Sequence, residues 1–129
     1  MTTANNAREG HLVHVVTLVC NDSAHAQRCI EALGQYGKPD AHAYNCVSYE
    51  YGLKEGSSDT VCLIERWRQW EDLDALLRDK VVPALPLYNA LLKRPFDPAC
   101  DTTRIQLTEA SGEAGPQVVE ESRAKDQVG

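Results

Sequence analysis

The chain has 129 residues, 43% hydrophobic and 25% charged, which bounds it to one globular domain with a real core and leaves no room for two ordinary ones. Its net charge of −6 argues against nucleic acid as a partner, because phosphate contacts need a basic face and no lysine- or arginine-rich run compensates. No apolar run approaches the ~20 residues of a membrane span, and the polar opening MTTANNAREG lacks a signal-peptide core, so the sequence reads as a cytoplasmic protein with no membrane partner.

Residues 1–10 are expected to be a flexible N-terminus ahead of the domain. The next ten, HLVHVVTLVC (11–20), are almost continuously apolar and β-branched, which predicts a strand covered on both faces. Asn21, Asp22 and Ser23 offer side-chain oxygens to the free N–H groups of a helix start. Ala26, Cys29, Ile30, Leu33 and Tyr36 then recur at helical spacing, predicting a helix over about 23–36 that Gly34, Gly37 and Pro39 close. AHAYNCVSYEYGL (41–53) predicts a second strand, KEGSSD a turn, and DTVCLIERW (59–67) a third strand antiparallel to the second.

A second helix is expected to start near Arg68, with Trp70, Leu73, Leu76, Leu77 and Val81 on one face. Pro83 and Pro86 should interrupt it, because each removes an N–H and crowds the preceding turn; residues 84–94 then resume as a short helix carrying Leu87, Leu91 and Leu92. TTRIQLT (102–108) alternates as a fourth strand. From Glu109 to Gly129 there are no aromatic residues and five acidic side chains against two basic ones, so this segment is expected to be an acidic, disordered tail.

The order βαββαβ folds, with right-handed crossovers, into a four-stranded antiparallel sheet with both helices on one face: an α+β, ferredoxin-like domain. The second sheet face would be left wet, yet the strands are too apolar for water. A second copy of the same sheet covers it most economically, so a homodimer is expected. The five cysteines (Cys20, Cys29, Cys46, Cys62 and Cys100) are widely spaced with no metal-site pattern and read as reduced structural residues. No metal is expected, and no nucleotide motif is present.

The strand end E-R-W (65–67), followed directly by D-L-D-A-L-L (72–77) and preceded by C-V-S-Y (46–49) and V-H-V-V-T-L-V (13–19), resembles the antibiotic biosynthesis monooxygenase (ABM) domain over residues 11–108. The resemblance implies a ferredoxin-like fold that dimerises into an α+β barrel. It also implies membership among small oxygenases of aromatic polyketides working without metal, flavin or haem, beside haem-degrading enzymes, quinone-linked oxygenases and related polyketide cyclases. Many relatives carry a histidine in a D-A-H sequence on the helix after E-x-W; the matching residue here is Leu76, so the helix offers no imidazole and a catalytic base must come from elsewhere. Ala43 and Asn45 likewise stand where many relatives have Glu and Gly.

The chemistry so implied is cofactor-independent oxidation of a polyketide-like phenol or anthrone to a quinone, with dioxygen as partner. It requires a dry pocket, a base and donors for the developing enolate. Of the four histidines, His11 sits at a frayed strand start and His25 on a solvated helix start, which leaves His14 and His42, in or beside apolar strands, as the candidate bases. Trp67 matches a cavity-lining tryptophan of the family and completes the catalytic set. Tyr49, Leu63, Glu65, Leu73, Leu77 and Tyr88 are the expected substrate-binding residues. Each has a plainer alternative: His14 as a core or interface histidine with one hydrogen bond, Trp67 as core, and Glu65 as a charge paired across a dimer, with Arg66 as partner. A cyclase, isomerase or lyase using acid–base chemistry on a similar substrate, and a non-catalytic dimeric binding module, remain as alternatives.

Overall fold

The computed structural model describes residues 10–108; the expected acidic tail and residues 1–9 of the expected N-terminal stretch lie outside them. The elements are β1 (Leu12–Val19), α1 (Ser23–Ala32), a π-helical turn (Leu33–Gly37), α2 (Lys38–Ala43), β2 (Ser48–Leu53), β3 (Thr60–Trp67), α3 (Trp70–Leu76), a second π-helical turn (Leu77–Val81), α4 (Val82–Asn89), α5 (Pro98–Asp101) and β4 (Thr102–Gln106). The strands form one sheet in the order β2-β3-β1-β4, antiparallel throughout. This is the expected ferredoxin-like α+β arrangement, with β1 and β3 central.

Register divides the sheet into two unlike faces. His14 pairs with Glu65, Val16 with Leu63 and Leu18 with Val61, and these side chains point to the helices. Trp67, Val61 and Leu73 are fully buried there, each contributing roughly 1.5–3 kcal/mol of hydrophobic stabilisation, more for the indole. The alternate residues Val13, Val15, Ile64 and Ile105 share the opposite face; Val13 is buried, but among the described residues no element packs across Ile64 and Ile105, which are 41% and 40% exposed.

The first helical run is longer than its sequence pattern predicts. Asp22 caps it, accepting the His25 backbone N–H at 2.8 Å, and the helix passes beyond Tyr36 to Ala43 instead of stopping at Gly37. The Lys38 N–H reaches back to the Leu33 carbonyl, an i→i−5 bond that widens the turn just before Pro39. The second run does the same: the Val82 N–H bonds the Leu77 carbonyl just before Pro83. A proline clashes with the carbonyl four residues back and offers no N–H, and a widened turn ahead of it accommodates both defects. The helix therefore continues through Pro83 and Pro86 where a break was expected.

The second strand starts at Ser48, not at 41. Asn45 takes a left-handed backbone (φ 74°), the Asn45 N–H bonds the His42 carbonyl at 3.1 Å, and the Cys46 N–H bonds the Ala41 carbonyl at 3.0 Å. This is the αL closure of a helix C-terminus, with asparagine in the glycine role. His42 and Tyr44, expected on a strand, therefore lie at the end of a helix. Beyond α4, the Asn21 and Lys93 N–H groups bond the Leu91 and Val19 carbonyls, both at 2.9 Å, and pin residues 91–93 to the end of β1.

Candidate active site

Three buried polar side chains stand in one row across the helix-facing side of the sheet, with Arg104 of β4 next in register beyond His14. Tyr49 of β2 pairs in register with Glu65 of β3, and Glu65 pairs with His14 of β1. All are buried, with His14 3%, Glu65 4% and Tyr49 5% exposed. A carboxylate taken out of water must be hydrogen-bonded, and Glu65 is: His14 Nδ1 lies 2.8 Å from Oε1, and Trp67 Nε1–H donates to the same oxygen at 3.1 Å. With Glu65 as carboxylate, Nδ1 must be the donor, which leaves Nε2 as the basic nitrogen of the ring. Glu65 is thus bonded to two side chains of its own chain. Arg66, on the other face, donates instead to the Gly10 carbonyl at 3.3 Å.

A cavity of about 330 Å³ lies between this row and the helices, large enough for a small fused-ring molecule. His14, Glu65 and Tyr49 form its polar floor, with Val16, Leu18 and Leu63 beside them. Both π-helical turns contribute to the wall: Leu33, Tyr36 and Gly37 from the first, Leu77, Lys80 and Val81 from the second. Leu76, Ala84, Leu85, Leu87, Tyr88 and Phe96 complete the apolar lining, and Asp40 is the remaining charged residue. Burial raises the Tyr49 phenol well above the ordinary tyrosine range, and the adjacent Glu65 charge adds to the effect. Burial likewise pushes Tyr88 up to about 12, so both phenols are hydrogen-bond donors at neutral pH. The thiols of Cys29 and Cys46 are also pushed up to about 12 by burial, which makes them poor nucleophiles.

Six of the nine residues singled out from the sequence line this cavity: His14, Tyr49, Leu63, Glu65, Leu77 and Tyr88. Three do not. Trp67 is fully buried at the end of β3 and reaches the site only through its bond to Glu65. Leu73 is turned into the core under α3. His42 lies exposed on α2, outside the lining, because the segment taken for a strand is helical. The sequence reading missed the lining residues Tyr36, Asp40, Lys80, Leu87 and Phe96. Leu33, Tyr36 and Asp40 recur at helical spacing, a signal that was cut off by ending the helix at Gly37. Among the described residues no three metal-ligating side chains gather, and no helix is long and apolar enough to cross a membrane.

No family model and no curated protein matches the sequence. Solved structures do resemble it. A monooxygenase from the gene ActVA-Orf6 of Streptomyces coelicolor, determined in complex with Nanaomycin D, aligns with a TM-score of 0.65 at 16% identity over 88% of this chain and 97% of its own. A Bacteroides thetaiotaomicron protein described as a possible oxidoreductase aligns at 0.59 with 13% identity over 76% and 99%. A dimeric ferredoxin-like protein from an uncultured marine organism aligns at 0.58 with 12% identity over 74% and 94%. At these identities the likeness establishes the fold.

Proposed function

We propose that residues 11–108 form an ABM-type domain that oxidises an aromatic, polyketide-like phenol or anthrone to a quinone with dioxygen, using protein side chains alone. The observation that carries this reading is the buried His14–Glu65 pair at the floor of a largely apolar cavity. Likeness in fold to the ActVA-Orf6 monooxygenase supports it.

An electron-rich anthrone needs only to lose a proton to become reactive toward dioxygen. His14 Nε2 takes that proton from the ring CH₂, and Glu65, bonded to Nδ1, stabilises the imidazolium. The enolate passes one electron to dioxygen, and the carbon radical and superoxide join into a peroxide anion. His14 returns its proton to the distal oxygen. The second C–H proton then leaves with hydroxide as water, and the carbonyl forms, so CH₂ and O₂ become C=O and H₂O with no external reductant. The apolar walls exclude water and raise the strength of each polar contact at the floor.

The active form is proposed to be a homodimer closed over the open sheet face, where Val19, Ile64, Ile105 and Leu107 are each about two-fifths exposed. The same His14–Glu65 pair favours a second reading, proton transfer in a cyclase, isomerase or lyase. The two separate cleanly in an assay with anthrone: the oxygenase consumes one O₂ per anthraquinone and stops without air. Turnover that continues anaerobically, with product of unchanged mass, overturns oxygenation. Ligand binding without turnover under either condition favours the binding-module alternative.

A further inference from the structure

Tyr49 is a buried phenol whose hydroxyl is unpaired among the described residues. Its ring packs edge-on against Tyr51, centroids 5.8 Å apart. A buried donor left unmade costs about 1–3 kcal/mol, so one at the wall of a cavity needs an explanation. The fold holds it there deliberately. The side chain crosses from the sheet to the first π-helical turn and ends against Gly37, where a Cβ would collide with the Tyr49 hydroxyl oxygen. Any residue but glycine at 37 would displace the phenol, and both Gly37 and Tyr49 line the cavity.

We propose that Tyr49 is the cavity's hydrogen-bond donor to its ligand, and that the ligands are fused aromatic ketones or phenols whose oxygen is conjugated with the carbon on which His14 acts. The inference rests on the aromatic-ligand reading above. Tyr49 and His14 flank Glu65 in the same cross-strand row, so a flat ring system lying over Glu65 meets the donor at one end and the base at the other. As the proton leaves to His14, charge moves through the ring onto the oxygen facing Tyr49, and the bond there strengthens. Tyr49 remains protonated throughout, because burial and the Glu65 charge disfavour its phenolate. A planar hydrocarbon of the same size leaves the donor unpaired and is disfavoured on binding.

Two probes isolate the donor: xanthone, and xanthene, which has CH₂ in place of the carbonyl. Equilibrium binding of both is measured with the wild-type chain and with Tyr49→Phe, which removes only the hydroxyl. The expected result is a wild-type preference for xanthone of roughly tenfold, abolished in Tyr49→Phe with xanthene affinity unchanged. Gly37→Ala, which keeps the phenol but displaces it, should lower the same preference. A xanthone preference that survives Tyr49→Phe, or an equal loss for both probes, overturns the proposal. Binding of neither probe by the wild-type chain overturns it together with the aromatic-ligand reading. A Tyr49-dependent xanthone preference in a protein that never oxidises anthrone upholds the donor and removes the oxygenase.

Discussion

The two faces of the sheet depart at a few positions from the usual pattern of a half-buried antiparallel sheet, which is apolar inside and polar outside. On the helix side, His14, Glu65 and Tyr49 are buried together; on the open side, Ile64 of β3 and Ile105 of β4 are about two-fifths exposed. Stability alone would place hydrocarbon inside and charge outside. Buried ionisable groups are a cost that a structure meets with hydrogen bonds, as Trp67 and His14 do for Glu65. Exposed β-branched residues on a sheet face are an adhesive surface. We therefore propose the inner face as a site and the outer face as an interface.

The largest break in that comparison comes from the inner face. Glu65→Ala leaves the His14 and Trp67 N–H groups unpaired in a dry site and should destabilise the fold by about 3–5 kcal/mol, read from urea denaturation. Glu65→Gln, which keeps an acceptor oxygen, should cost less. On the outer face, Ile64→Asp or Ile105→Asp should leave stability of the isolated subunit nearly unchanged. Either should weaken self-association at least about tenfold, measured by sedimentation equilibrium. A wild-type chain that sediments as a monomer at all concentrations removes the interface reading.

The fold was legible in the chain to the extent that it rests on local pattern. β1, β3 and β4 follow their apolar and alternating runs within a few residues, and the element order dictated the sheet. Helix ends were not, because Pro39 and Pro83 read as stops, and nothing in the local pattern signals an i→i−5 turn that absorbs a proline. Asn45 was the missed cue: in Tyr-Asn-Cys it supplies the left-handed residue that ends a helix, and recognising it would have moved His42 off the strand. The site was legible only in pieces. His14 and Glu65 were each marked, but they are 51 residues apart, and their pairing depends on the β1–β3 register. Trp67 carried the family likeness and allowed two readings, a cavity wall or a core residue with its indole N–H bonded; the buried indole bonded to Glu65 matches the second.

Two smaller tests sharpen the contrast. On the inner side, Cys29, Cys46 and Tyr88 are all pushed up to about 12 by burial. Their folded pKa values lie above the unfolded ones, so the neutral forms contribute stability fully below pH ~9, and that contribution is lost as pH rises toward 12. Urea midpoints should hold steady to pH ~9 and fall above it; a midpoint that rises there would contradict the assignment. On the outer side, Cys62 is half-buried on the open face, paired in register with Thr17. Its alkylation should slow as protein concentration rises and a second sheet covers it, while exposed Cys100 reacts at a constant rate.

The central claim is that the buried His14–Glu65 pair is catalytic machinery and not merely a satisfied core contact. Oxygen uptake with anthrone, compared between wild type and a folded His14→Gln variant, tests it most directly. The account predicts that His14→Gln loses about 10²–10⁴-fold of the rate while still binding xanthone with wild-type affinity. Uptake by His14→Gln at the wild-type rate would contradict it.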